Sequence, residues 1–316
     1  MTGIAFVASH LDAQDAGEIE IAPGHVFRRA LDEEIGIIAS AVTEAAKAGK
    51  GFWVPYNGTY IAEKVDGGTT FSFKPLESAA WKYWVVAFER LSPILREIEH
   101  AASLLPIDFE FAFHAYFARP GVDDDFSAQS AIPLHIIERY SDPELAFDSP
   151  KHISKSKLSR VPEILSQMAG IAVSHGFIRR AISNFVELKR LPRRSDLEVV
   201  GLFAIMESLI THLPRLTESL DSINHQIANK IKLLTRRFTR PVESTRYFEG
   251  VYDGKLWKKL YAYRSAVAHG NNPEISGQFQ VLRNADSATS FLREIIKELI
   301  LLALREPDLV SDLRGC

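Results

Sequence analysis

The chain of 316 residues is long enough for two domains, and its 46% hydrophobic and 24% charged residues are typical of a globular protein rather than a disordered one. Its formal net charge of -3 hides an asymmetry. Residues 1–150 contain 11 Lys and Arg against 23 Asp and Glu, a net of -12, whereas residues 151–316 contain 26 against 17, a net of +9. The only cysteine, Cys316, excludes an internal disulfide and a cysteine-based zinc site, and the histidines lack metal-ligand spacing.

The first 150 residues combine helix and strand patterns. The three-and-four spacing of apolar residues predicts helices at 25–47 and 91–105. Residues 51–65, 69–75 and 81–89 are rich in aromatic and β-branched residues, with turns at Asn57-Gly58 and Gly67-Gly68, and predict a small antiparallel sheet. A short apolar run at 4–8 precedes the first helix, and the alternation at 109–118 predicts a further, half-buried strand. We therefore expect an acidic α+β domain over residues 1–150. The segment 119–157 is rich in turn-forming residues and predicts a domain boundary near 150.

The second half has helical periodicity throughout. The predicted helices are 161–189, 196–212, 222–239, 254–268 and 286–305. Breaks between them contain Pro192, Pro214, Pro241 and the pair Gly270 and Pro273. Asp196 and Asp286 are expected to be N-cap residues. These patterns predict a basic, all-α helical bundle over residues 151–316.

The segment WKKLYAYRSAVAHGNN, residues 257–272, contains the residues with the clearest chemical potential. An apolar stripe is expected to bury one side of this helix: Leu256, Leu260, Tyr263 and Val267. Arg264 then lies at the border of that stripe. Arg264 and His269 would point roughly 140° apart on an ideal helix. A helix that ends near Ala268, with Gly270 left-handed, would let His269 turn back toward Arg264.

An arginine, four residues and a histidine near a helix end resemble the RxxxxH signature of HEPN domains. The segments GLFAIMESLITHL, INHQIANKIKLLTRRF and LYAYRSAVAHG, in this order, resemble the Apea-like branch of that superfamily over about 150 residues. The resemblance implies a metal-independent endoribonuclease without cofactors, in which the RNA 2′-hydroxyl attacks the phosphate and Arg264 and His269 are catalytic. It also implies a homodimer that pairs two motifs across a composite cleft.

The residue types fit this chemistry. Histidine transfers protons near neutral pH, and arginine offers a charged fork for phosphate oxygens. Glu207, an isolated charge in an apolar run, either orients Arg264 through an ion pair or faces outward. Asn271 either contacts phosphate or ends the helix. Basic residues near the motif are expected to bind RNA: Lys258, Lys259, Arg236 and Arg237.

Three functional hypotheses remain at this point. The first is a ribonuclease of antiviral defence or toxin type, whose acidic accessory domain senses a trigger or restrains the basic domain, and which has a regulatory protein as a further candidate partner. The alternative is a catalytically silent HEPN module that binds a protein, nucleotide or RNA partner. The third is a polyanion-binding regulator without enzymatic turnover. Ser265 favours the alternative, because many family members have Asn, Asp or His after the arginine. The first residues do not form a signal peptide and no apolar run could span a bilayer, so we expect a cytoplasmic protein without membrane association.

Overall fold

The computed structural model describes residues 2–49, 58–65, 68–77, 80–89, 94–117, 128–129, 132–140, 150–192, 195–212, 222–248, 253–271 and 273–315. The chain divides into two compact units, Met1–Leu165 and Ser166–Cys316. The division falls inside a helix and not near residue 150, where the composition changes.

The first unit is built on an antiparallel sheet. Its strands are β1 (Thr2–Val7), β2 (Leu11–Asp12), β3 (Ile19–Ala22), β4 (His25–Arg29), β5 (Gly58–Val65), β6 (Gly68–Pro75), β7 (Trp84–Phe88), β8 (Phe111–Phe117), β9 (Ala128–Gln129) and β10 (Lys151–His152). Six of them form one sheet in the order β3-β4-β7-β1-β8-β9. Strands β5 and β6 form a separate antiparallel hairpin, and β2 pairs with β10 in parallel.

The first unit also contains helices. They are α1 (Asp32–Gly49), α2 (Ile94–Ser103), α3 (Leu134–Tyr140), α4 (Lys155–Leu158) and α5 (Arg160–Ala169), the last of which contains the division between the units. One face of the sheet contributes Ile4, Phe6, Val85 and Phe113 to a buried core that also contains residues of α1 and α3. The α+β class predicted for this half is therefore confirmed.

The predicted helix at 25–47 is wrong over its first residues. His25–Arg29 is strand β4, which forms a hairpin with β3 through a turn at Gly24, where φ is +70°, and also pairs with β7. Glu34 explains the late helix start. Its carboxylate accepts the Leu31 backbone N–H at 2.8 Å and both Arg28 guanidinium Nη atoms at 2.7 Å, so it fixes the first turn of α1 from within.

The other strand predictions overlap β1, β5, β6, β7 and β8, so these segments are confirmed as strands although their bounds differ. The prediction of one small sheet is wrong, because the β5–β6 hairpin stands apart from the six-stranded sheet. The early part of the predicted strand at 51–65, residues 51–57, lies outside the described residues.

The second unit is helical. Its helices after α5 are α6 (Gly176–Glu187), α7 (Leu197–Ile210), α8 (Ile223–Leu234), α9 (Asp253–Ala268), α10 (Ala285–Arg305) and α11 (Pro307–Gly315). The helices predicted at 196–212, 222–239, 254–268 and 286–305 are confirmed. The single helix predicted at 161–189 is wrong: the chain breaks at Gly170 and makes a 3-10 turn before α6.

Helix α7 is the centre of this unit. It contacts α6, α8, α9, α10 and α11, so apolar residues occupy almost its whole circumference. Its buried side chains include Val199, Leu202, Phe203, Met206 and Leu209. Glu207 lies within this apolar surface. None of the helices in the described ranges is both long and apolar enough to cross a membrane.

Candidate functional site

Helix α9 holds Arg264 at the edge of the bundle core. The predicted apolar stripe is confirmed, because Leu256, Leu260, Tyr263 and Val267 are all buried. Arg264 follows Tyr263 by one position and therefore lies beside the stripe, with 23% of its side chain exposed. The backbone of a well-packed helix thus fixes the position from which the Arg264 side chain extends.

Arg264 contacts Glu207 of the central helix α7. Of the two alternatives given for Glu207, an ion pair with Arg264 or an outward-facing position, the structure has the ion pair. The Arg264 Nη2 atom lies 3.3 Å from Glu207 Oε1 and donates a long hydrogen bond of 3.4 Å to Oε2. The Glu207 side chain is only 18% exposed. Burial raises the pKa of Glu207, and the positive charge of Arg264 offsets part of that rise.

This ion pair leaves hydrogen-bonding capacity unused. Arg264 Nε and Glu207 Oε1 are buried and have no hydrogen-bond partner among the described residues. The Arg264 guanidinium also lies 5.6 Å from the ring centroid of Tyr261, which in turn packs edge-on against Phe203. The guanidinium is therefore located by a carboxylate and an aromatic ring, while one N–H donor remains unsatisfied.

Tyr263 fixes α9 against the start of α7. Its hydroxyl donates a 2.7 Å hydrogen bond to Asp196 Oδ1, and its ring packs edge-on against Phe279. Burial and the hydrogen bond to Asp196 raise the pKa of Tyr263. Asp196 occupies the N-cap position of α7, as predicted, but its side chain makes no hydrogen bond to the backbone of the helix.

The end of α9 has the predicted geometry. Gly270 has a φ of +76°, its N–H bonds to Val267 O at 2.9 Å, and the Asn271 N–H bonds to Ala266 O at 3.0 Å. These two bonds form a Schellman motif, which satisfies the last carbonyls of the helix. Asn271 therefore has the helix-end role that was one of its two alternatives. Its contact with phosphate stays a prediction.

His269 does not return to Arg264. Its backbone N–H still bonds to Ser265 O at 3.1 Å, so His269 keeps an approximately helical direction, roughly 140° around the axis from Arg264. The residue is exposed, and its ring makes no hydrogen bond or ion pair with other described residues. The expectation that Gly270 would turn this ring toward Arg264 is wrong within one chain.

The predicted RNA-binding residues lie at different places. Lys258 is exposed and Lys259 half-buried on α9, whereas Arg236 and Arg237 are exposed in the 3-10 turn after α8. Arg237 forms an ion pair of 2.5 Å with Glu306. Sequence reasoning did not identify Asp196 as the partner of Tyr263, because nothing local connects residues so far apart along the chain. The described part of the chain contains no group of three or more His, Cys, Asp or Glu side chains arranged to hold a metal ion.

The comparisons with known proteins give no relative. No protein-family model, no curated protein and no solved structure matches this chain.

Proposed function

We propose that the helical unit is a metal-independent endoribonuclease of HEPN type, with Arg264 and His269 as its catalytic residues. The observation that supports this most is the arginine itself. The guanidinium is located by Glu207 and Tyr261 at the edge of a helical bundle, and 23% of the Arg264 side chain is exposed. A phosphate oxygen can approach this exposed part of the side chain and accept a charged hydrogen bond from it.

Histidine and arginine side chains can supply every group that the reaction needs. The 2′-oxygen of RNA forms a bond to phosphorus while the bond from phosphorus to the 5′-oxygen breaks, which leaves a 2′,3′-cyclic phosphate and a 5′-hydroxyl. A neutral histidine accepts the 2′-hydroxyl proton, and a protonated histidine donates to the leaving 5′-oxygen. Arg264 stabilises the negative charge that builds on the phosphate oxygens.

One copy of the motif provides one histidine, and that residue lies roughly 140° around the helix axis from its own arginine. A homodimer would solve both problems, because a second chain brings another His269 and another Arg264 to a shared cleft. We therefore propose a homodimer as the active form. Glu207 is proposed as a positioning residue that fixes the Arg264 guanidinium but does not contact RNA.

The test is cleavage of a single-stranded RNA by the full chain in EDTA. His269→Ala and Arg264→Ala are expected to lower the rate at least 100-fold, the scale of a lost general base or charge stabiliser. The matched controls are His225→Ala and Arg180→Ala, which remove an exposed histidine and an exposed arginine from α8 and α6. Equal rates for all four variants would reject the proposed catalytic pair.

A second candidate function is a silent module of the same fold that binds RNA or a protein partner. The contact between Arg264 and Glu207 favours it, because the carboxylate offsets the charge that catalysis would use. RNA binding without any cleavage by the wild-type chain, and unchanged in His269→Ala, would support this candidate.

A further inference from the structure

We infer that a single strand of RNA lies along the exposed face of α9, with its phosphates on Lys255, Lys258 and Lys259 and its scissile phosphate near His269. The inference rests on the proposed function, which supplies RNA as the occupant. It goes further by naming the surface on which the RNA lies, the path of the strand along α9 and the basic residues that do not bind its phosphates.

Helix geometry places the three lysines and His269 on one side of α9. At 100° per residue, Lys255, Lys258, Lys259, Ser265 and His269 fall within a sector of about 120°. The buried stripe of Leu256, Leu260, Tyr263 and Val267 occupies a different sector. The face defined by the three lysines, Ser265 and His269 is called the lysine face below.

The lysines of this face are accessible and are not engaged by other described residues. Lys255 and Lys258 are exposed and Lys259 is half-buried, and none of the three forms a hydrogen bond or ion pair with other described residues. Their ammonium groups can therefore neutralise phosphates without first breaking an ion pair with a carboxylate. That makes them effective phosphate ligands, because counterion release drives such binding.

Many other cations of this unit are already engaged. Arg240 contacts Glu294 at 2.5 Å and Glu298 at 3.3 Å, and Arg237 contacts Glu306. Further pairs are Arg293 with Glu198, Arg305 with Thr239 and Arg237 O, and Lys230 with Leu313 O. The net charge of +9 predicted a basic domain, but these contacts offset part of that charge, and we expect the cations that form them to bind phosphate less strongly than unpaired lysines do. Arg237, one of the predicted RNA ligands, is among them.

The surface between the lysines and His269 admits a close approach. Ala262, Ser265 and Ala266 occupy it, and each has a small side chain. From Lys255 to His269 the helix rises about 21 Å, and from Lys258 about 16 Å, which corresponds to roughly five or six nucleotides of a stacked strand. A strand anchored on the lysines could therefore extend along α9 and bring a phosphate to His269.

A second copy of the chain is a poorer occupant for the lysine end of this face. A two-fold axis that packed one lysine face on another would oppose six ammonium groups without carboxylates between them, which is unfavourable. A phosphate backbone has the complementary charge. The lysine end therefore fits RNA, while the His269 end remains available to the paired motif.

The experiment measures binding of a 12-nucleotide single-stranded RNA at several salt concentrations, with all variants made in the full-length His269→Ala chain so that cutting does not intervene. Lys255→Ala/Lys258→Ala/Lys259→Ala is expected to weaken binding at least 10-fold. It should also reduce the slope of log K against log salt by about 2, or about 0.7 for each phosphate contact.

The matched control is Arg180→Ala/Lys232→Ala/Arg246→Ala, which removes three exposed cations from other elements. It should change the slope by less than about 0.7, and Arg237→Ala should not change it. Equal losses in the two triple variants, or no loss in either, would overturn the inference. Circular dichroism verifies that each variant is folded.

The wild-type cleavage assay separates this inference from the proposed function. If the lysines control binding but the wild-type chain does not cut, the lysine face stands and the ribonuclease proposal fails. If the wild-type chain cuts RNA but the affinity for RNA does not depend on the three lysines, the ribonuclease proposal stands and the proposal that RNA binds the lysine face is rejected.

Discussion

The ion pair of Arg264 and Glu207 is better suited to position a guanidinium than to stabilise the fold. Its contacts of 3.3 and 3.4 Å are long for charged hydrogen bonds, and one buried atom on each side has no hydrogen-bond partner among the described residues. The raised pKa of Glu207 means that desolvation outweighs the attraction of Arg264. Ionised Glu207 therefore costs stability while it fixes the direction of Arg264.

Glu207→Gln is expected to leave the protein as stable as the wild type at neutral pH, or slightly more stable. The folded-state pKa of Glu207 lies above its unfolded-state value of about 4.5, so its stabilising contribution is full below that value and is lost as the pH rises through the folded-state pKa. Urea unfolding across the acidic to neutral range should show the wild type losing stability relative to Glu207→Gln.

The same variant should cut RNA more slowly, with kcat lowered about 10-fold and KM nearly unchanged, because the guanidinium is less well placed in the transition state. A wild type that gains stability over Glu207→Gln as the pH rises would contradict this account of the pair. Unchanged kcat would contradict the positioning role.

At the scale of elements, the end of α9 sets the position of His269. Gly270→Ala places a Cβ at a φ of +76° and is expected to cost about 1 kcal/mol of unfolding free energy. Because the Schellman motif would loosen, His269 would be less well placed. The cleavage rate should therefore fall by more than the loss of folded protein explains. Gly176→Ala is the control, since Gly176 has a negative φ and open space around its Cβ position. If Gly270→Ala is as stable and active as this control, the helix end does not determine the site.

The hydrogen bond of Tyr263 to Asp196 is expected to stabilise the contact of α9 with α7. Tyr263→Phe removes the hydroxyl and leaves Asp196 without this donor, at a cost of about 1–2 kcal/mol in denaturant unfolding. Tyr247→Phe is the matched control. Its ring packs against Phe248 and Phe291, and no hydrogen bond of its hydroxyl to another described residue is found. Equal stability of the two variants would show that the hydrogen bond contributes little.

Local pattern predicted much of the helical unit but not its long-range contacts. Helix α9, its buried stripe and the left-handed Gly270 follow from periodicity and glycine chemistry within a short segment. His25–Arg29 was misread as helix because its pairing with β7 depends on residues far along the chain. Asp196 is at the predicted N-cap position, but its carboxylate accepts a hydrogen bond from Tyr263 and none from the helix backbone, and α10 is capped by Asn284 and not by the predicted Asp286. Spacing alone could not show that His269 stays on the helical path.

On the scale of the whole molecule, the proposal requires two chains for one site. The rate per chain should therefore rise with protein concentration until the homodimer is saturated and then become constant. Analytical ultracentrifugation over the same concentrations should show dimer formation in parallel with activity. A constant rate per chain down to concentrations at which the protein is monomeric would contradict the composite cleft.

The central claim is that the RNA 2′-hydroxyl is the nucleophile and that His269 assists it. The most direct measurement compares cleavage, in EDTA, of an RNA oligonucleotide with that of the same sequence carrying 2′-O-methyl groups, and identifies the product ends. The account predicts that only the unmodified RNA is cut, that the products end in 2′,3′-cyclic phosphate and 5′-hydroxyl, and that His269→Ala abolishes cutting. Cleavage of the methylated strand, or products with a 5′-phosphate, would contradict it.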